Sequence, residues 1–280
     1  MTKTLTSLLK IAPAIAAIAL TLSSCKKGGN DTQQNDPAHV AVGSTYVKNG
    51  ITYNLLWSDE FDGSTVNLNK WTFDPGAGQN GEREYYQSSN AAVTSGNLVI
   101  SAKKETVSGM PYTSSRLNTS GKFSVAYGRI EARIKIPAGL GLWPAFWMLG
   151  QNFPTVGWPQ CGEIDIMEHV NADNKFYGTI HWDNNGHAQF GGQTTATTAD
   201  YHVYAVEWDS SSIKWYVDDT LYNTANIKDN INNTGAFQKP FFVILNLAVG
   251  GDFPGYTIDE TKLPANMYVD YVRVYQVPAK

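Results

Sequence analysis

The stretch Tyr127-Gly-Arg-Ile-Glu-Ala-Arg-Ile-Lys-Ile136 alternates charged and apolar side chains without a break. On an extended chain Arg129, Glu131, Arg133 and Lys135 fall on one side, and Ile130, Ala132, Ile134 and Ile136 on the other, because successive side chains point to opposite faces. That period of two predicts a β-strand with one buried face. Outward from it, Asn97–Lys103, Tyr201–Trp208, Ile213–Val217 and Tyr268–Tyr275 repeat the pattern, set off by Gly, Pro, Asn and Asp. No segment longer than about eight residues carries a helical period. Many short strands with turn residues between them predict an all-β sandwich or jelly roll rather than an α/β fold. No internal repeat and no second domain is visible.

The N-terminus reads differently. Lys3 supplies positive charge, Leu8 to Leu22 is largely apolar apart from Lys10, and the run ends in Leu22-Ser-Ser-Cys25. It is too short for a good membrane span and ends in small residues, as a secretory signal peptide does. We therefore expect residues 1–24 to be a signal peptide. A cysteine directly after Leu-Ser-Ser resembles a bacterial lipobox, which implies lipidation at Cys25 and an exported, membrane-anchored protein. Residues 25–45 are polar, with almost no large apolar side chain, and read as a flexible linker. Residues 46–280 then form one domain, expected to be monomeric.

Composition narrows the function. With 21 Lys and Arg against 25 Asp and Glu, the net charge is −4. Basic pairs occur only at Lys26-Lys27 and Lys103-Lys104, so nucleic acid is excluded as a partner. Once Cys25 is acylated only Cys161 remains, leaving no internal disulfide. The five histidines show no His-x-x-x-His or Cys-rich spacing, which argues against a zinc site. The 8 Trp and 15 Tyr suit either a sandwich core or a sugar-binding cleft.

Chemistry concentrates in Gly162-Glu-Ile-Asp-Ile-Met-Glu-His-Val170. On a regular strand Glu163 and Asp165 share a face, whereas Glu168, at an odd offset from Glu163, points away. One β-bulge between Asp165 and Glu168 restores all three acids to one side. Ile164 and one or both of Ile166 and Met167 then face the interior. Aligned acids repel, which raises one pKa and leaves a protonated carboxyl beside an ionised one. Retaining glycoside hydrolysis needs that pair, one acid as nucleophile and one as general acid. A solvated acidic face does not explain the interleaved Ile and Met, and a calcium loop would be richer in Gly, Asn and Asp.

Glu163-Ile-Asp-Ile-Met-Glu168 resembles the bulged signature Glu-x-Asp-x-x-Glu of glycoside hydrolase family 16. Leu56-Trp-Ser-Asp-Glu-Phe-Asp62, Tyr127–Arg133, Gly141-Leu-Trp-Pro-Ala-Phe-Trp-Met-Leu149, Gly178-Thr-Ile-His181, Asn246-Leu-Ala-Val-Gly-Gly251 and Val269–Tyr275 resemble its laminarinase-like, endo-β-1,3-glucanase branch. The resemblance covers nearly all of residues 53–276. It implies a curved, concanavalin A-like β-jelly-roll sandwich with a concave substrate cleft. Glu163 would be nucleophile, Glu168 acid/base, and Asp165 the hydrogen-bonded residue between them, with no cofactor for catalysis. Trp143 and Trp147, four apart on a strand, would stack on sugar rings, with Arg116, His181, Asn246 and Trp158 as further contacts. Glu82-Arg-Glu-Tyr-Tyr86 stands at the cleft edge of relatives, although the Gln usual there after Asn-Glu is missing. The resemblance also implies a structural calcium at Glu60, Gly96 and Asp270. The partner would be a β-glucan. Rival readings are mixed-linkage glucan or algal galactan as substrate, or a glucan-binding lipoprotein without catalysis.

Overall fold

The computed structural model describes residues 45–48 and 50–278. The signal peptide, Cys25 and the linker up to residue 44 lie outside the described residues. Two large sheets curl into a jelly-roll sandwich. The first has the order β1 (Thr45–Lys48), β2 (Ile51–Asp59), β19 (Ala265–Gln276), β10 (Gly128–Lys135), β15 (His202–Trp208), β16 (Ser212–Val217) and β17 (Thr220–Asn226). The hairpin β6 (Ala91–Thr94) and β7 (Asn97–Ala102) joins it through β19. The second has the order β14 (His187–Thr195), β13 (Lys175–Asp183), β12 (Glu163–Glu168), β11 (Leu142–Gly150), β18 (Phe241–Val249), β9 (Arg116–Asn118) and β3 (Thr72–Phe73). A small third sheet orders β4 (Gly76–Ala77), β5 (Glu84–Tyr86) and β8 (Tyr112–Ser114). Among the described residues the one α-helix is a single turn, Phe153–Val156.

The core lies between the two large sheets. Ile130 and Ile134 of β10 and Val272 and Val274 of β19 meet Phe146 and Met148 of β11 and Val243, Leu245 and Leu247 of β18. Burying each such side chain favours folding by about 1.5–3 kcal/mol. With no disulfide among the described residues, this packing carries the stability, and Cys161 is buried as a free thiol. Burial and the neighbouring Glu163 push that thiol up to about 11, so it is inert.

One strand departs from its expected environment. Three of the four charged residues of β10 are nearly as buried as its apolar side: Arg129 is 1% exposed, Glu131 5% and Arg133 7%, with Lys135 half-buried at the strand end. The guanidinium of Arg129 donates to Glu131 (2.6 Å), Glu207 (3.1 Å) and Asp219 (2.8 Å), and lies 5.0 Å from the ring centre of Tyr46. Lys48 reaches Glu207 and Asp219, both at 3.1 Å. Arg133 donates to Asp270 and stacks on Tyr201. Charges keep this face hydrogen-bonded while aromatic rings exclude water from it.

Candidate active site

The bulge falls in β12. Toward β11, Met167 pairs with Phe146 and Asp165 with Trp147, so Ile166 is the extra residue. Toward β13 the register also shifts between Asp165 and Glu168. Ile164, Ile166 and Met167 all enter the core, at most 1% exposed, and Glu163 and Glu168 line a cleft on the sheet's other face. A bulge leaves backbone groups without ladder partners. Here Trp215 of the opposite sheet reaches through the core, and its Nε1 donates to the carbonyl of Asp165 at 2.8 Å. Gly178 makes room for that indole: a Cβ there would lie 2.4 Å from Trp215 Cδ1.

The three acids form one electrostatic unit. Burial pushes the pKa of all three upward. Repulsion from Asp165 adds to the rise at Glu163, and repulsion from Glu168 adds to that at Asp165. Glu163 and Asp165 are in hydrogen-bond contact. Two groups act in the opposite sense at Glu168: Trp143 Nε1 donates to its Oε1 at 2.9 Å, and His181 lies near. His181 faces Glu163 across the β12–β13 ladder, and its Nε2 sits 3.2 Å from Asp165 Oδ2, off the line of a hydrogen bond. Upward shifts from burial and mutual repulsion favour holding a protonated carboxyl beside an ionised one.

The cleft is about 680 Å³ and open to solvent, within the size range of small-ligand sites. At one end Trp143, Phe253 and Tyr177 meet edge to face, with ring centres 5.6 and 5.2 Å apart. At the other, Trp158 packs on His187 at 4.7 Å, and His187 stacks on His181 at 5.1 Å. Both ends thus offer flat apolar faces flanking the acids, the surface a pyranose ring needs.

The other sequence-derived contacts lie elsewhere on this sheet. Trp147 does share a face with Trp143, but it packs on the small cluster of Leu149, Cys161, Phe242 and Ile244 and is not among the cleft-lining residues. Its Nε1 donates to Asn246 Oδ1 (2.8 Å), Asn246 Nδ2 donates to the Tyr86 hydroxyl (3.1 Å), and that hydroxyl donates to Glu82 (2.8 Å). Arg116 is clamped by Asp74 at 2.8 Å and lies over the Tyr86 ring. Trp147, Asn246, Tyr86 and Glu82 therefore form a hydrogen-bonded floor, with Arg116 laid over the Tyr86 ring. Glu84 is fully buried under this floor and accepts from the Val249 amide at 2.6 Å. His187, Tyr177, Phe253 and Asn80 line the cleft without having been singled out in the sequence. His187 was the most findable, because Asp183-Asn-Asn-Gly-His187 reads as a hairpin turn folding back on His181.

The calcium residues fit an ion poorly as placed. Both oxygens of Glu60 accept from Arg273, at 3.1 and 2.7 Å, and Asp270 accepts from Arg133 at 2.9 Å. Gly96 turns the β6–β7 hairpin with open space around it. Calcium requires six to eight oxygens and would compete here with two guanidinium groups.

A jelly-roll sandwich whose cleft holds two glutamates on one bulged strand, with aromatic rings at both ends, is built to cleave a glycan chain. Residues 79–273 match the family model for glycosyl hydrolases family 16, and the chain belongs to that family. It is 44% identical over 245 residues to the clotting factor G alpha subunit of Tachypleus tridentatus, covering 85% of this chain but 36% of that protein. It is 41% identical over 256 residues to a beta-glucanase of Rhodothermus marinus, covering 84% and 89% respectively. Among solved structures, endo-beta-1,3-glucanase from Pyrococcus furiosus superposes with a TM-score of 0.78 at 43% identity, over 85% of this chain and all of that one.

Proposed function

We propose that this protein is an endo-acting, retaining β-1,3-glucanase of the laminarinase type. The observation that carries the proposal is the bulged strand β12, which brings Glu163 and Glu168 into one open, aromatic-walled cleft, with Asp165 buried between them in the sequence of the strand. Similarity to β-glucanases over most of the chain supports the substrate class. Glu163 attacks the anomeric carbon while Glu168, held by Trp143, protonates the departing glycosidic oxygen. The covalent glycosyl-enzyme is then released by water, which Glu168 deprotonates as a base. Asp165 stays protonated in this scheme and donates to Glu163, so that a single charge rests on the nucleophile. An open cleft with rings at both ends accommodates the middle of a chain, which suits endo cleavage. A binder without catalysis has no use for buried, mutually repelling acids.

The test is a product profile on β-1,3-glucan, mixed-linkage glucan, agarose and carrageenan, with early-time NMR of the reducing ends. Rapid cleavage of β-1,3-glucan to oligosaccharides with initial β-anomer is expected. Initial α-anomer would show inversion and refute the double displacement. Exclusive action on a galactan would overturn the substrate. Because burial and repulsion raise the acids, the activity bell should sit at higher pH than ordinary carboxylates would give. Its acid limb reports protonation of the nucleophile and its alkaline limb deprotonation of the acid/base.

The lipid anchor rests on the sequence alone. The protein should partition with membranes, and Cys25→Ala should release it or block maturation; full recovery of the unaltered protein in the soluble fraction would remove the anchor. A structural calcium would have to displace Arg273 from Glu60. Thermal unfolding in calcium and in chelator decides it: a higher Tm in calcium restores that site, and superimposable curves dispose of it.

A further inference from the structure

The acids and His181 also have the arrangement of metal ligands. One ligand atom from each of Glu163, Asp165 and His181 lies within 4.8 Å of the other two, and no other such group occurs among the described residues. Two donors bound tetrahedrally to zinc at about 2.0–2.1 Å stand roughly 3.3–3.4 Å apart. His181 Nε2 and Asp165 Oδ2, at 3.2 Å, already have that spacing. Asp165 is 3% exposed, and its Oδ2 has no hydrogen-bond partner, so a buried oxygen faces the imidazole unsatisfied. The remaining ring nitrogen, His181 Nδ1, lies 2.8 Å from His187 Nε2. A metal-binding imidazole characteristically uses its second nitrogen this way: Nδ1–H donates outward and leaves the Nε2 lone pair for the ion. Trp158, packed on His187, holds that outer partner in place. Glu163, which lines the cleft, completes the set of three.

We infer that Asp165, His181 and Glu163 form a binding site for a zinc ion, with His187 as its outer-sphere partner, and that the ion shuts the enzyme off. Imidazole with carboxylate suits zinc, and the site is too small and too poor in oxygens for calcium. Histidine spacing argued against zinc because such motifs record ligands on one local segment. Here the ligands come from adjacent strands, β12 and β13. Inhibition follows because bound zinc occupies the carboxylate that must attack the sugar; this half of the inference rests on the catalytic assignment above.

Binding is tested without reference to activity, by calorimetric titration of the full protein with zinc chloride and by visible absorption with cobalt(II) as the probe. One zinc per chain and an intense four-coordinate cobalt spectrum are expected. His181→Ala should abolish the cobalt spectrum and weaken zinc at least about 100-fold, and His187→Phe should weaken it about 10-fold, as loss of an outer-sphere partner does. Circular dichroism confirms that both variants fold. Glucan hydrolysis by the parent should fall over the same zinc range and return with chelator. Absence of saturable binding, or equal affinity in His181→Ala, would overturn the site. Stoichiometric binding with undiminished hydrolysis would overturn the shut-off. A parent inactive on every glucan would count against the proposed function alone, since calorimetry and absorption would still report the site.

Discussion

Glu163→Ala should abolish hydrolysis of every substrate, activated or not, by about 10⁴-fold or more, because no other group can form the glycosyl-enzyme. The measurement is initial rate on β-1,3-glucan and on an aryl glycoside, with intact-mass spectrometry to show that no covalent intermediate accumulates. Fold loss is separated from lost chemistry by the isosteric Glu163→Gln. A carboxyl whose pKa is raised in the fold contributes its stability at low pH, and that contribution is lost as pH rises through the folded value. The amide has no charge to desolvate, so near neutrality Glu163→Gln should melt no lower than the parent while remaining inactive. If Glu163→Ala kept substantial activity, the nucleophile would have to be sought elsewhere.

Glu168→Ala should lose about 10²- to 10⁴-fold on polysaccharide, where the leaving sugar must be protonated. Formation of the glycosyl-enzyme from an aryl glycoside with a good leaving group needs no proton and should survive much better. Hydrolysis of that intermediate then stalls for want of a base, and added azide should rescue turnover and give a β-glycosyl azide. The loss of the Trp143–Glu168 hydrogen bond complicates only the absolute rate, not the contrast between leaving groups. If the β-azide came from Glu163→Ala instead, the two roles would have to be exchanged. Asp165→Asn should give an intermediate loss, milder than that of either glutamate substitution, with a shifted pH profile, because it removes the titrating carboxyl that couples the pair and neither reacting group.

These outcomes depend on features the sequence carries to different degrees. The strands and the bulge were legible because period-two alternation and the odd offset of Glu168 are local properties of the chain. Burial of the charged side of β10 was not. Its pattern is that of a solvated face, and what covers it, Tyr46 and Lys48 from β1 and Asp219 from the turn after β16, lies about 80–90 residues away on either side. Trp147 shows a second limit. Parity assigned it to the correct face, but only the neighbouring strand, with Phe242 and Ile244, determines that it packs sideways rather than standing in the cleft. The paired histidines needed the β13–β14 register, which a turn motif suggests and a spacing rule does not.

The buried charges on β10 also constrain how this protein can drift over evolutionary time. Arg129 answers Glu131, Glu207 and Asp219 together; replacing it alone strands the buried Glu131, at a cost of about 3–5 kcal/mol for a broken buried pair, while Glu207 and the exposed Asp219 keep Lys48. Concerted replacement of the set by apolar residues of similar volume can be neutral. A first step that breaks the Arg129–Glu131 pair crosses a valley that takes a large part of the margin of a marginally stable domain, about 5–15 kcal/mol. Lineages of this fold should therefore keep the cluster or exchange it as a block, with few viable intermediates.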